Sequence, residues 1–345
     1  MADYCKRIFT LSLEVPWFED FSVGDDLSAV PSVTVTDGYA AIHQMVFGDR
    51  SRLPLDFVLS RQVTGQERAL VNPALVCNIA IGQSTIPTQR VLGNLFYRGL
   101  RFHRPVYIGD TLTTTTKVVA LRQNAIKPGR PSSGMVGLEM HVVNQDGETV
   151  LLFWRCPMVP CREENADTGH NDDLSLMPEN IDPEDLLSAV PDWNLDLLPA
   201  ITDEFSPGNV IKVEARDTVT SAPEIVRMTL NLAMTHTDAA RGVYKRRLVY
   251  GGHTISLAAA QLSRVLPSLA TVLCWYKCNH VAPVFEQDVL SSVITVKGET
   301  SAGKGKILDL GIEVYAERGS EAPEPGSDIK VLDWQLAVLV GGKGV

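Results

Sequence analysis

The sequence holds no apolar run approaching the roughly 20 residues that a membrane-spanning helix needs, so the chain is not expected to cross a bilayer. Its first residues, Met-Ala-Asp-Tyr-Cys-Lys-Arg, lead through Leu11 to Pro16 and on to the acidic Glu19 and Asp20. They lack the apolar centre and small-residue cleavage site of a secretory signal, which makes the cytoplasm the expected compartment. Cysteine is scarce and scattered: Cys5, Cys77, Cys156, Cys161, Cys274 and Cys278, several inside apolar runs of a chain too long to need disulfide staples. These read as reduced, buried thiols. Cys274 and Cys278 form a C-x-x-x-C with no second pair nearby, so no metal is expected. Positive charge is in deficit, 31 Lys and Arg against 41 Asp and Glu for a net charge of −10, which argues against non-specific nucleic-acid binding. Any anionic ligand must be held by a local cluster of positive groups.

What is present is a repeat. At 345 residues the chain can form two domains, each with a core of its own. The segment Tyr97-Arg98-Gly99-Leu100-Arg101-Phe102-His103-Arg104-Pro105-Val106-Tyr107, leading to Asp110, lies over Trp275-Tyr276-Lys277-Cys278-Asn279-His280-Val281-Ala282-Pro283-Val284-Phe285, leading to Asp288. Pro105 and Pro283, like Asp110 and Asp288, are 178 residues apart. One unit is used twice.

After each aspartate come stretches rich in Val, Thr, Ile and Leu, broken by turn groups such as Asn144-Gln145-Asp146-Gly147. They predict strands over 111–121, 135–143 and 149–158 in the first copy and over 290–296, 307–315 and 329–340 in the second. A loop from Gly319 to Asp328 reads as a hairpin tip. Ahead of each meander lies a run apolar on nearly all sides, 74–81 and 254–266, as expected of a helix wrapped by a sheet. A long helix cradled by a curved antiparallel sheet is the hot-dog architecture, so the predicted fold is α+β, a double hot-dog. The expected organisation is a first hot-dog domain over 1–160, an acidic, partly ordered connector over 161–209, and a second hot-dog domain over 210–345 that carries the chemistry.

Three features could supply acid/base and oxyanion-binding groups. The first is Asn231-Leu232-Ala233-Met234-Thr235-His236-Thr237-Asp238, at the end of a helix-like segment that begins near Ser221. His236 can accept and return a proton near neutrality, with the Asn231 amide holding a water; a structural histidine is the competing reading. The second is Tyr250-Gly251-Gly252-His253 before the buried helix, where unpaired N–H groups suit an oxyanion. The glycines could equally make only a tight turn, and His253 is either a second acid/base or a capping group. The third is positive charge: Lys245-Arg246-Arg247 in one half and Arg50, Arg52, Arg98 and Arg101 in the other, suited to CoA phosphates or a free acyl carboxylate, or else a solvated surface.

The stretch from Asn231 to Asp238, followed by Arg247 to Thr254, resembles the MaoC-like, (R)-specific enoyl-CoA hydratases. Gly109-Asp110-Thr111-Leu112-Thr113-Thr114-Thr115 with Leu121-Arg122-Gln123-Asn124 looks like their mesaconyl-CoA (2-methylfumaryl-CoA) hydratase branch. The similarity covers roughly residues 17–158 and 208–341. The family motif, Gly-Asp-x-Asn-Pro-Leu-His, holds a catalytic water between its aspartate and histidine. Here His236 matches the histidine, but Asn231 stands at the aspartate position and cannot exchange a proton. The first copy keeps the aspartate at Asp49 and has Pro54 in place of the histidine. The resemblance therefore implies a first half that shapes the acyl pocket and a second half that does the chemistry, with the Gly252 N–H as oxyanion donor. Asp49 has the alternative of being a structural helix-end residue.

The leading expectation is thus a cytoplasmic hydro-lyase that reversibly hydrates a short, branched, dicarboxylic enoyl-CoA, for example mesaconyl-CoA to beta-methylmalyl-CoA. His236, Asn231, Gly252 and His253 are its expected catalytic groups. Asp49, Arg50, Arg98, Arg101, Arg247, Tyr250 and Gly251 are its expected substrate contacts. It would need no metal and no cofactor beyond the CoA of its substrate. Its partners would be the acyl-CoA alone, with no nucleic acid and no membrane, and either a monomer or a homodimer. A hot-dog thioesterase, using Asp238, and a non-catalytic acyl-CoA binding protein stand as alternatives.

Overall fold

Strand after strand carries apolar and small side chains at every second position, and one face of each is buried. In Thr111–Gln123 the inward set is Leu112, Thr114, Thr116, Val118 and Ala120, the period of 2 that a half-buried strand requires. The computed structural model describes residues 15–28, 30–319 and 325–341. Cys5, the N-terminal stretch up to residue 14 and residues 320–324 of the expected hairpin tip at 319–328 lie outside those residues.

Eleven strands occur among the described residues: β1 (Val33–Thr34), β2 (Gly93–Phe102), β3 (Thr111–Gln123), β4 (Ser133–Val143), β5 (Thr149–Pro160), β6 (Val210–Lys212), β7 (Asp217–Thr218), β8 (Leu269–His280), β9 (Val289–Ala302), β10 (Gly305–Arg318) and β11 (Gly326–Val340). They form one sheet in the order β1-β3-β4-β5-β2-β8-β11-β10-β9-β6, with β7 on β9. The order is a palindrome about the antiparallel β2–β8 pair, where Tyr97 faces Cys278 and Leu100 faces Trp275. The two copies are halves of a single continuous sheet.

The helices are α1 (Asp37–Phe47), α2 (Arg52–Leu55), α3 (Phe57–Thr64), α4 (Pro73–Gln83), α5 (Pro183–Ser188), α6 (Ala222–Met228), α7 (Met234–Thr237) and α8 (Gly251–Val265). Two of them, α4 and α8, are the central helices. The start of α4 is set by Asn72, whose side chain accepts from the Ala74 N–H, and by Pro73 in the first helical position. Every residue of α4 from Ala74 to Gln83 is buried. Full burial of an Ile or Leu such as Leu75, Ile79 or Ile81 stabilises by about 1.5–3 kcal/mol each. The buried glutamines repeat as well: Gln83 donates to Leu112 O at 2.9 Å and Gln261 to Leu290 O at 3.0 Å. The architecture is the double hot-dog fold.

The helix-like segment expected to run from Ser221 to Asp238 is two helices, α6 and α7. The chain breaks between them at Leu230, which has a φ of 58°. The connector is more ordered than its acidic, proline-rich composition suggests. Leu186, Trp193, Leu195 and Leu198 are buried against Leu53, Val63, Leu70, Cys274 and Leu339. Among the described residues no helix is long and apolar enough to cross a membrane.

Candidate active site

A cavity of about 220 Å³ opens between the two halves. The first half supplies Thr85 and Thr88 from beyond the end of α4, Asn94 and Tyr97 from β2, and Arg155 from β5. The second half supplies Asn231, His236, Tyr250, Gly251, Thr254 and His280. No carboxylate lines it among the described residues.

His236 sits on the four-residue α7, and its position is fixed from both sides. Leu248 donates its N–H to Thr235 O at 2.9 Å, and Leu248 O lies 2.7 Å from His236 Nδ1. A carbonyl oxygen can only accept, so Nδ1 carries the proton and the neutral ring keeps its lone pair on Nε2. Burial, at 9% exposure, pushes the imidazole down to about 4, against a smaller upward pull from the Leu248 hydrogen bond. The ring is therefore an uncharged base at neutral pH.

Asn231 approaches the same cavity with its amide oriented. Its Oδ1 accepts from the Ala233 N–H at 2.9 Å, so the Nδ2 donors remain for a ligand. The loop that carries it is tied to the other half: Leu232 N–H donates to Thr85 Oγ1 at 2.9 Å and Met234 N–H to Gln89 O at 2.9 Å. Asp49 holds the matching place in the first half, 182 residues earlier, just as Pro54 precedes His236 by 182. Its Oδ1 accepts from Ser51 N–H at 2.7 Å and its Oδ2 from Asn72 Nδ2 at 3.0 Å. Asp49 thus ties α2 to the cap of α4, and the cavity it borders has a volume of only about 20 Å³. Pro54, Trp275 and Trp334 line that second cavity, which has room for about one water.

The start of α8 has no side-chain cap, and its residues Gly251 and Thr254 reach the cavity. A Cβ on Gly251 would stand 2.5 Å from His280 Nε2. One on Gly252 would stand 2.1 Å from Asn78 Oδ1 and 2.5 Å from Tyr250 Cζ. Close approach of neighbours, rather than a left-handed turn, is what demands glycine here. The first-turn N–H groups have no carbonyl four residues back to bond and carry partial positive charge. The Tyr250 hydroxyl is buried without a partner, its ring centroid is 5.8 Å from that of His236, and burial drives its pKa far up, so it stays a donor.

His253 is not brought to this group. It stacks edge-on against Phe47 at 4.9 Å, with the side chain facing α1 and His43, and burial pushes it to about 3. It makes no capping bond either. Arg98 pairs with Glu179 at 2.9 Å and Arg101 with Asp185 at 2.7 Å, so connector carboxylates occupy both. Lys277, which stands opposite Arg98 in the sheet, also reaches Glu179, at 3.7 Å. Arg50 borders a surface groove beside Glu214 and Arg264. Arg247 pairs with Glu286 and Arg246 lies over the Phe285 ring; the run does not line the cavity, although Tyr244 and Leu248 on either side of it do.

His280 and Arg155 are among the lining residues that were not anticipated. His280 Nε2 is buried without a partner, and burial, reinforced by His236, pushes it to about 4. The repeat carried its signal, because Phe102 holds the same place in the first copy. Arg155 had one too: it is the single charge in the apolar strand Leu151-Leu152-Phe153-Trp154-Arg155-Cys156-Pro157-Met158-Val159.

No protein-family profile matches the chain. A beta-methylmalyl-CoA dehydratase of Chloroflexus aurantiacus is 31% identical over 95% of this chain and 97% of its own length. A mesaconyl-CoA hydratase of Cereibacter sphaeroides is 28% identical over 83% of this chain and 84% of its own. Among solved structures, a conserved hypothetical protein of Mycobacterium tuberculosis with a double hotdog fold superposes with a TM-score of 0.85 at 42% identity, over 95% of this chain and 99% of that one. A putative MaoC domain dehydratase of Chloroflexus aurantiacus also gives 0.85, at 26% identity over 97% of this chain and 100% of that one.

Proposed function

This chain belongs to the family of MaoC-like hydratases and dehydratases that includes those CoA-thioester enzymes, and on that premise we propose that it reversibly hydrates a short, branched, dicarboxylic enoyl-CoA of the mesaconyl-CoA type to the corresponding 3-hydroxyacyl-CoA. The observation that carries the reading is the hydrogen bond from His236 Nδ1 to Leu248 O, which leaves Nε2 as a base in the same cavity as Asn231 and the start of α8.

Nε2 takes a proton from a water oriented by the Asn231 Nδ2 donors, and the water oxygen bonds to the β carbon. The electron pair of the double bond moves onto the thioester oxygen, where the N–H of Gly252, the residue after the cavity-lining Gly251, stabilises it. The imidazolium then returns its proton to the α carbon, and the thioester carbonyl re-forms. One water is added and His236 ends neutral. Because Asn231 holds no exchangeable carboxyl proton, both transfers fall on His236. This acid/base chemistry calls for no metal and no redox group, and the CoA is part of the substrate. The basic run at Lys245 to Arg247 suits the CoA phosphates. The buried, unpaired thiols of Cys77, Cys156, Cys161, Cys274 and Cys278 fit a cytoplasmic setting.

The thioesterase alternative needs a carboxylate at the thioester carbon. Asp238 is exposed, accepts from Ala240 N–H at 2.9 Å and does not line the cavity. The test is to incubate the protein and its His236→Ala variant with mesaconyl-CoA and crotonyl-CoA, following the enoyl-thioester absorbance and product mass. Gain of one water, with the rate reduced about 10²–10⁴-fold in the variant, is expected. Release of free CoA thiol, or binding without turnover, would overturn the reading.

A further inference from the structure

Arg155 is the most deeply buried charge in the wall of the cavity, at 2% exposure. It projects from β5, opposite Tyr97 of β2. Its Nη2 donates to Ser84 O at 2.7 Å and to Thr88 Oγ1 at 2.9 Å, while its Nε has no partner. Among the described residues no carboxylate pairs with it. The ionisable groups that face it are Tyr97, Tyr250 and Cys156, all held neutral by burial, which raises each of their pKa values. Arg98 and Arg101, by contrast, are matched by Glu179 and Asp185. A guanidinium cannot shed its charge, and a buried charge without a counterion is strongly disfavoured unless something else compensates it. Arg155 is thus a buried cation suited to pairing with an anion, and it lines the cavity.

The cavity decides which anion. At about 220 Å³ it is on the scale of a short acyl chain, and Arg155 shares it with His236, which fits an anion carried on the acyl group. Tyr250 links the two ends, with its ring 5.8 Å from that of His236 and its hydroxyl within electrostatic reach of Arg155. Thr88, which accepts from Arg155, and Asn94, whose Oδ1 has no partner, line the same cavity.

We propose that Arg155 binds the free carboxylate at the far end of the acyl chain and so makes the site selective for monothioesters of dicarboxylic acids. The inference rests on the hydratase reading for the position of the thioester, and on the buried arginine for the selectivity. The first half of the chain then contributes the specificity group and the second half the base.

The test compares mesaconyl-CoA with tiglyl-CoA, which carries a methyl group where mesaconyl-CoA has its carboxylate. The readout is the ratio of their kcat/KM values in the wild-type protein, Arg155→Gln and Arg155→Lys. A ratio is unaffected by the folded fraction of a variant. Arg155→Gln should lower it by roughly 30-fold to several thousand-fold, the range expected when one partner of a buried charge pair is lost, and Arg155→Lys should fall between. Equal loss on both substrates would overturn the inference and leave the hydratase reading standing. In parallel, calorimetry with the unreactive methylsuccinyl-CoA and 2-methylbutyryl-CoA reads selectivity without turnover. A wild-type preference for the carboxylated ester that Arg155→Gln abolishes, in a protein that hydrates neither enoyl-CoA, would uphold Arg155 and overturn the hydratase reading. Absence of any wild-type preference would overturn the inference outright.

Discussion

Asn78 on α4 donates through Nδ2 to Ser256 Oγ on α8 at 2.9 Å, and the two residues stand 178 positions apart, the interval of the repeat itself. Equivalent residues that touch each other must straddle the axis relating the halves, so this buried bond marks where the two central helices cross. Ser256→Ala leaves the Asn78 amide donor unpaired in the core. A loss of about 1–3 kcal/mol in unfolding free energy is expected from urea denaturation. An unchanged midpoint would mean that the contact contributes nothing.

Gly252→Ala places a methyl group 2.1 Å from Asn78 Oδ1 and 2.5 Å from Tyr250 Cζ. Asn78 is held by its bond across the helix pair, so the strain falls on Tyr250, which borders the cavity, and on the first turn of α8. The expected result is a destabilisation of about 1–3 kcal/mol together with a fall in kcat, because Tyr250 and the first turn of α8 move. Thermal melts and steady-state rates at a temperature where the variant is folded separate the two effects.

Histidine ionisation sets the pH behaviour. Burial lowers His43, His236 and His280 to about 4 and His253 to about 3, while the unfolded chain titrates near about 6.5. Between those values the unfolded state binds more protons than the folded state. Stability is therefore complete above about 6.5 and declines as pH falls toward 4, which urea midpoints measured across that window will record. The rate should follow the neutral form of His236: kcat/KM flat from about pH 5 to 8, with its acid limb near 4. A limb near 6.5 would show that the imidazole titrates as a solvated one.

Arg98→Gln and Arg101→Gln remove charges that Glu179 and Asp185 already neutralise. Neither residue lines the cavity. The KM for a CoA thioester should change by less than about 3-fold in either variant, with a stability loss of about 1 kcal/mol or less, since both acidic partners are about half exposed. A KM rise of tenfold or more would return these arginines to the substrate.

The repeat was legible because its turns leave an imprint: Asp110 accepts from Tyr107 N–H at 2.8 Å and Asp288 from Phe285 N–H at 2.9 Å, so the aspartate and its spacing are kept in both copies. The central helices were legible because a helix enclosed on all sides has no polar stripe. The buried residues of the connector were not legible, since acids and prolines between Leu186, Trp193, Leu195 and Leu198 hide their spacing. His236, Asn231, Tyr250 and Gly251 converge on one cavity, whereas the positive groups were assigned by sign alone. Sequence shows that Arg101 is basic, but not that Asp185, 84 residues away, folds back onto it. Arg155 went unnoticed because a lone charge in an apolar strand has meaning only once that strand is known to line a pocket.

The halves have exchanged walls. Tyr97 and Arg155 of the first sheet half border the cavity that holds His236, and Trp275 and Trp334 of the second fill the small space beside Asp49. The symmetry of the strand order is thus broken at the level of the two cavities within one polypeptide. On the proposed roles of Arg155 and His236, a substitution in β2 or β5 would retune which acyl group is accepted while α7 and α8 keep the proton-transfer groups, so recognition and chemistry could change at separate addresses in the same gene. Neither half, severed from the other, would retain a whole site.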